Sequence, residues 1–175
     1  MMRPSSVPPF SELIRDCHHS AVHLELRDSY GVAAEADDFA LWKTAGRITP
    51  ESVESRRPWL DLVREAVSRG VVMRRARIVS VPVSEYIRYE HAGTYLNVEA
   101  GELVRWLPRR DAATLALPGA DFWLLDGRLI RFGHFAGDGS SAGHELNSDP
   151  DVIKLCADAF ESVWERATPH EEFTV

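Results

Sequence analysis

Two apolar runs, Asp121-Phe-Trp-Leu-Leu125 and Arg128-Leu-Ile-Arg-Phe132, stand on either side of Asp126-Gly127. This arrangement limits the fold more than any other feature of the chain. An aspartate–glycine pair supplies the positive φ that a tight type I′ turn needs, so the runs form an antiparallel hairpin. A further strand pattern, Val71-Val-Met-Arg-Arg-Ala-Arg-Ile-Val79, follows a helical one. A hairpin and a strand reached from a helix belong together in a mixed sheet.

The remaining elements follow from periodicity. Phe10 to His18 places Phe10, Leu13, Ile14 and Cys17 on one helical face. Ala21 to Leu26 alternates as a strand, and Glu35 to Thr44 reads as a helix with Phe39 and Trp42 inward. Residues 45–57 are polar and read as a loop. Pro58 then opens a helix with Trp59, Leu62, Val63, Ala66 and Val67 on one face, stopped by Gly70. Ser84 caps a helix to about Ala92, and Leu103 to Leu107 is a short strand. Residues 136–148, rich in Gly and Ser, read as a mobile loop. Asp149-Pro150 opens a last helix with Val152, Cys156, Ala159, Phe160, Val163 and Ala167 inward, ended by Pro169. The plan is one α/β domain over residues 10–175, with α+β as the variant: a single mixed sheet with flanking helices. Residues 1–9, with three prolines and two serines, read as a flexible tail.

A chain of 175 residues that is 45% hydrophobic can bury one core. Cys17 and Cys156 belong to no C-x-x-C pair, which argues against a disulfide framework or a cysteine zinc site. No apolar run follows the first arginine, and no stretch approaches the roughly 18 apolar residues of a membrane span, so the chain reads as cytoplasmic, with no membrane partner.

The net charge of −7 argues against nucleic acid as a partner. The charge is uneven, however. Between Arg74 and Arg110 seven arginines face four carboxylates, so this segment is +3 and the rest of the chain −10. Its densest part joins Arg74, Arg75 and Arg77 to Tyr86, Arg88, Glu90 and His91. On a strand Arg75 and Arg77 share a face and Arg74 takes the other. On the next helix Tyr86 and Glu90 are neighbours, as are Ile87 and His91. Such a set suits a phosphate or carboxylate. The plainer alternative is an internal salt-bridge network of Arg75 or Arg77 with Glu90. Trp106 with Arg109 and Arg110 could stack a base and hold its phosphate, although a Trp there is more often a core anchor.

No catalytic motif is complete. His18, His19 and His23 have no metal-ligand spacing with Cys17 or Glu25, and His23-Leu-Glu25 lacks the paired cysteines of a zinc deaminase. Glu25, Arg27 and Asp28 end a strand, where a capped turn is the plainer reading than acid–base work. The glycine-rich run Gly133 to Gly139 lacks the ending of a P-loop. Neither a catalytic residue, a metal nor a cofactor is expected.

Residues 59–79 and the stretch Ala120-Asp-Phe-Trp-Leu-Leu-Asp-Gly-Arg-Leu-Ile-Arg-Phe-Gly-His-Phe135 resemble one half of a phospholipase-D-like protein. That superfamily carries a histidine-x-lysine-x4-aspartate signature. With Asp126 as its aspartate, Asp121 stands at the lysine position and Gly119 at the histidine position. A glycine cannot attack phosphorus, and an aspartate repels phosphate. The resemblance therefore implies a degenerate fold without that activity. Across residues 10–173 the stretches HLELRDSY, RRARIVSVPVSEYIRYEH, VRWLPRR and DFWLLDGRLIRF also resemble an actinobacterial domain-of-unknown-function family often found beside helix-turn-helix regulators. That resemblance implies a non-catalytic regulatory or interaction protein that partners a DNA-binding regulator and could hold a small anion. The alternatives are an enzyme acting on a phosphorylated or acidic small molecule through the arginine-rich segment, and nucleic-acid binding.

Overall fold

The computed structural model describes residues 7–175; most of the expected tail, residues 1–6, lies outside the described residues. The chain runs through α1 (Phe10–Arg15), β1 (Ser20–Glu25), α2 (Ala36–Ala45), α3 (Pro50–Ser68), β2 (Val72–Val79), α4 (Glu85–Glu99), β3 (Leu103–Pro108), β4 (Asp121–Leu125), β5 (Leu129–Phe135), β6 (Ser141–Asn147), α5 (Pro150–Arg166) and β7 (Thr168–Pro169). The strands form one mixed sheet in the order β6-β5-β4-β1-β2-β3-β7. β1, β2 and β3 are mutually parallel, and the other neighbours are antiparallel. β1 is central: the chain goes from it to β2 on one side and returns as β4 on the other. The expected α/β fold, a single mixed sheet with flanking helices, is the one observed.

The hairpin forms where Asp126-Gly127 places it, both residues having positive φ. Alternation then sorts the strands into two unlike faces. Val22, Leu24, Ala76, Ile78, Phe122, Leu124 and Ile130 form an apolar face. Over it lies α5, whose Cys156, Ala159, Phe160 and Val163 are buried in the same cluster. Asp149 caps α5 by accepting from the Asp151 N–H at 2.8 Å. The second face, under α1, α3 and α4, is apolar only in part. Ala21, Met73 and Leu125 pack with Leu60, Val63 and Ala66 of α3 at one end. At the other end the inward positions of the same strands are charged.

Three expectations are corrected. Residues 45–57 are largely helical: α3 begins at Pro50, and Thr49 Oγ1 accepts from the Ser52 N–H at 3.2 Å. Pro58 thus sits inside the helix. An interior proline removes one backbone bond, but Pro58 is exposed and the buried stripe of Ser52, Leu60, Val63 and Ala66 outweighs that loss. α4 runs past Ala92 to Glu99 through Gly93. Glycine costs a helix about 1 kcal/mol relative to alanine. Its lack of a Cβ leaves room for the Arg56 guanidinium, which would lie 2.5 Å from a Cβ at position 93 and would have to shift. Finally, residues 141–147, expected as part of a mobile loop, are edge strand β6, paired with β5 from Ile130↔Asn147 to Gly133↔His144. Its side chains are mostly exposed, so backbone pairing and an exposed His134–Glu145 contact hold it, and no apolar alternation marks it.

Candidate functional site

The charged end of the second face is built by strand parity. β1 turns His23 and Glu25 inward, β2 Arg75 and Arg77, β4 Asp121 and Trp123, and β5 Arg131. This is the end toward which the parallel strands β1 and β2 run, the region of an open α/β sheet where ligands bind. α1 adds Phe10, α2 Asp38, α3 Arg56 and Trp59, and α4 Tyr89 and Glu90, while Glu35 stands just ahead of α2. Together they line an open cavity of about 670 Å3. A smaller one of about 200 Å3 shares His23, Glu25, Glu35, Arg75, Glu90 and Arg131 with it and extends to Tyr30, Asp121 and His144. Ligand pockets span about 300–1,000 Å3.

The floor is an ion-pair network. Arg75 reaches Glu25 at 2.9 Å and Glu102 at 2.5 Å; Arg77 reaches Glu25 at 3.0 Å and Glu90 at 2.7 Å. Burial works against the Arg77 charge, but Glu25 and Glu90 more than offset it and hold the guanidinium above its ordinary range. At the α2–α3 side Arg56 meets Asp38 at 3.3 Å, and Tyr89 donates to the same carboxylate at 2.5 Å. The aromatic wall is Phe10, Trp59 and Trp123, with His23 stacked on Trp123 at 4.2 Å. Burial, then Arg75, Arg77 and Arg131, push His23 well below its usual pKa, so its ring is neutral.

The cavity also concentrates unmet hydrogen-bonding capacity. Among the described residues, seven buried side-chain polar atoms have no hydrogen-bond partner, and six of them belong to residues lining this cavity: His23 Nδ1, Asp38 Oδ1, Arg56 Nη2, Trp59 Nε1, Arg77 Nε and Arg131 Nε. Arg77 Nε still faces Glu25 at 3.0 Å. Arg131 has neither a hydrogen bond nor a carboxylate within 4.0 Å among the described residues, and burial lowers its pKa with nothing to offset it. A buried unmet group costs about 1–3 kcal/mol, so concentrating them in one place calls for a physical explanation.

Two carboxyls here hold their protons unusually tightly. Burial, then the nearby Glu90, push Glu35 up to about 7, against the opposing hydrogen bond from the Tyr86 hydroxyl at 2.7 Å. Burial likewise pushes Asp121 up to about 6, although the Tyr30 hydroxyl and the Leu26 N–H donate to it. A carboxyl whose pKa is raised by folding binds more protons in the folded state. Glu35 therefore makes stability fall as the pH rises from about 4.5 to about 7, with no further loss above that. Glu35→Gln cannot ionise. Relative to the parent protein its stability is expected to climb across that window by about 3 kcal/mol and then stay level. Urea unfolding between pH 4.5 and 8.5 measures this; a difference independent of pH would mean that Glu35 ionises normally.

Of the nine residues singled out in the sequence, Arg75, Arg77, Tyr86 and Glu90 meet at the cavity. The other five lie elsewhere. Arg74, on the opposite face, pairs with Glu161 of α5 at 2.6 Å. Arg88 and Arg110 are exposed. His91 lies beside Trp106 and approaches the Phe173 carbonyl at 2.9 Å. Arg109 spans Asp28, Ser80 and the carbonyls of Leu26 and Ile78. Trp106 is fully buried. His18 and His19 give their backbone N–H groups to Asp126 at 2.9 and 2.7 Å. No group of three or more His, Cys, Asp or Glu side chains gathers as a metal site would require among the described residues.

Sequence reasoning missed Glu35, Asp38, Arg56, Trp59, Trp123 and Arg131 as parts of one site. A signal for Arg131 was present: it breaks the apolar alternation of β5 at an inward position, as His23 and Glu25 do in β1. For Arg56 there was none, because its segment reads as a loop.

No helix is long and apolar enough to cross a membrane among the described residues. No curated protein matches the sequence. Among solved structures the chain is similar to TrmBL2, an archaeal chromatin protein whose structure shows a novel mode of DNA binding. The TM-score is 0.50 at 14% identity, over 91% of this chain and 49% of that one. This chain thus spans about half the length of that protein, and the likeness is one of fold. One family model covers nearly the whole sequence, residues 8–175, and the chain belongs to that family, a domain of unknown function (DUF6879).

Proposed function

We propose that this protein is a non-catalytic regulatory domain that binds a small molecule in the cavity and works with a DNA-binding regulator. One observation carries the ligand-binding part: six polar side chains that line a single cavity each have a buried atom without a hydrogen-bond partner among the described residues. A ligand offering acceptors and donors would satisfy them. The absence of chemistry rests on how the charged groups are used. Arg75 and Arg77 are engaged by Glu25, Glu90 and Glu102, so neither guanidinium is free to clamp a reacting phosphate. The regulatory part draws support from the fold shared with a DNA-binding chromatin protein. The phospholipase-D-like resemblance enters this reading as shape without activity: Asp126, its signature aspartate, lies at the end of β4 opposite the cavity and binds backbone N–H groups.

The test is thermal unfolding of the full chain in fractionated cell extract, followed by mass spectrometry of the retained molecule. A ligand at about 100 times its Kd is expected to raise Tm by about 5 °C or more. The shift should vanish in a Trp59→Leu, Arg131→Gln double variant that unfolds normally without extract. A parent protein whose Tm moves in no fraction, or a variant that responds equally, removes the reading.

Direct DNA contact is a second reading, favoured by the same fold likeness. It predicts a mobility shift at low salt that weakens steeply as salt is added; no shift at low salt ends it.

A further inference from the structure

Resting on the reading of the cavity as a ligand site, we infer that its ligand is a flat aromatic carboxylate, with the carboxylate on Arg131 and the ring against Trp59 and Trp123. The charge pattern selects the anion. Arg56 is matched by Asp38, Arg75 by Glu25 and Glu102, and Arg77 by Glu25 and Glu90. Arg131 alone faces the cavity without a carboxylate among the described residues, and residues 1–6 contain none. The one acid of the larger cavity without a cationic partner, Glu35, is relieved by keeping its proton near neutral pH. Arg75 and Arg77 already face three carboxylates, so an anion is favoured only beside Arg131, which has none near it among the described residues, and only as a single charge. A dianion such as phosphate would set its second charge against Glu25 and Glu90. A planar carboxylate also fits the guanidinium fork through two parallel hydrogen bonds.

The surroundings of Arg131 select the rest of the molecule. Its guanidinium lies 5.6 Å from the Phe10 ring centre, and Phe10 contacts Trp59 and Trp123 at 5.6 and 4.6 Å between centroids. Whatever carries a carboxylate bound there lies among these rings, which favour a flat π system. The Trp59 N–H stands in this wall without an acceptor, and Asp38 and Arg56 each leave an atom unmet at the α2–α3 side. A ring bearing a second polar group satisfies both ends. The volume of about 670 Å3 holds a one- or two-ring molecule.

The experiment is calorimetric and tryptophan-fluorescence titration of the full chain. The probes are benzoate, 4-hydroxyphenylacetate and indole-3-acetate; the amides of these three acids; cyclohexanecarboxylate; and inorganic phosphate. At least one aromatic acid should bind, about 10- to 100-fold more tightly than its own amide, as loss of a charge-assisted pair implies. Cyclohexanecarboxylate and phosphate should be weaker. Arg131→Gln should bring the acid down to the affinity of its amide in a protein that still folds, since the Arg131 side chain makes no hydrogen bond among the described residues. Equal binding of acid and amide, an indifferent Arg131→Gln variant, or preference for the alicyclic acid or phosphate would overturn the aromatic carboxylate and leave the ligand site standing. So would silence from every probe in a protein that still takes up a molecule from extract. If extract also gives nothing, the site itself falls.

Discussion

Arg77→Met is expected to lower the free energy of unfolding by about 3–5 kcal/mol, the largest loss anticipated from any single change in the cavity floor. Arg77 is 4% exposed and stands between two carboxylates, Glu25 at 3.0 Å and Glu90 at 2.7 Å. Methionine keeps the apolar stem of the side chain and removes the guanidinium that lies over Trp106. What changes is charge: two buried carboxylates lose their shared cation, and Arg75 is left facing Glu25 and Glu102 alone. Such acids regain stability by taking up protons. The deficit should therefore be largest at pH 8 and shrink toward pH 5, because the variant's carboxyls bind more protons when folded than when unfolded. Arg77→Met with Glu90→Gln should recover part of the loss at pH 8. A deficit that ignored both pH and the second substitution would show that Arg77 matters for its shape and not for its charge.

Asp126→Ala should cost about 3 kcal/mol, although this residue lies at the far end of β4 from the cavity. Its carboxylate accepts from the N–H groups of His18, His19 and Ser20 at 2.9, 2.7 and 3.0 Å and from the Cys17 thiol at 3.1 Å. Burial opposes the charge, but these donors prevail and hold the carboxyl well below its usual range. Its contribution is accordingly present above the ordinary carboxylate pKa and is lost only as the pH falls through the lowered value. The gap between parent and variant should stay level from pH 5 to 9 and close in strong acid. Asp126→Asn keeps one acceptor oxygen and a side chain tolerant of the positive φ, so about half the loss is expected. Equilibrium unfolding in urea measures all three proteins; an alanine variant as stable as the parent would refute this role for Asp126.

The parts of the molecule legible in the chain are those set by local chemistry. Asp126-Gly127 specified its hairpin because turn chemistry is local. Arg75 and Arg77 could be placed on one face because β parity is local too. Pro58 misled because proline at a first helical turn and proline tolerated inside a helix look alike until the buried stripe of α3 is known. The helix from Ser84 reads too short in the sequence because what packs on its second half, such as Arg56 against Gly93, comes from residues far away in the chain. β6 carries almost no side-chain signal because its neighbour β5 supplies the order. The cavity was least legible. Its lining comes from most of the helices and strands, and what identifies it is the lack of a partner for Arg131, a property of three-dimensional arrangement.

The two faces of the sheet also predict unequal freedom to vary. Beneath α5 the contacts among Ile78, Leu124, Ile130, Phe160 and Val163 are apolar throughout. Such a layer accepts exchanges of similar volume at little cost. On the reverse, neighbouring positions of the same strands carry charges that each require a specific opposite, so a change at 75 or 77 demands a simultaneous change at 25, 90 or 102. A saturation library scored for folding should therefore show an abrupt alternation along β2, permissive at 76 and 78 and restrictive at 75 and 77.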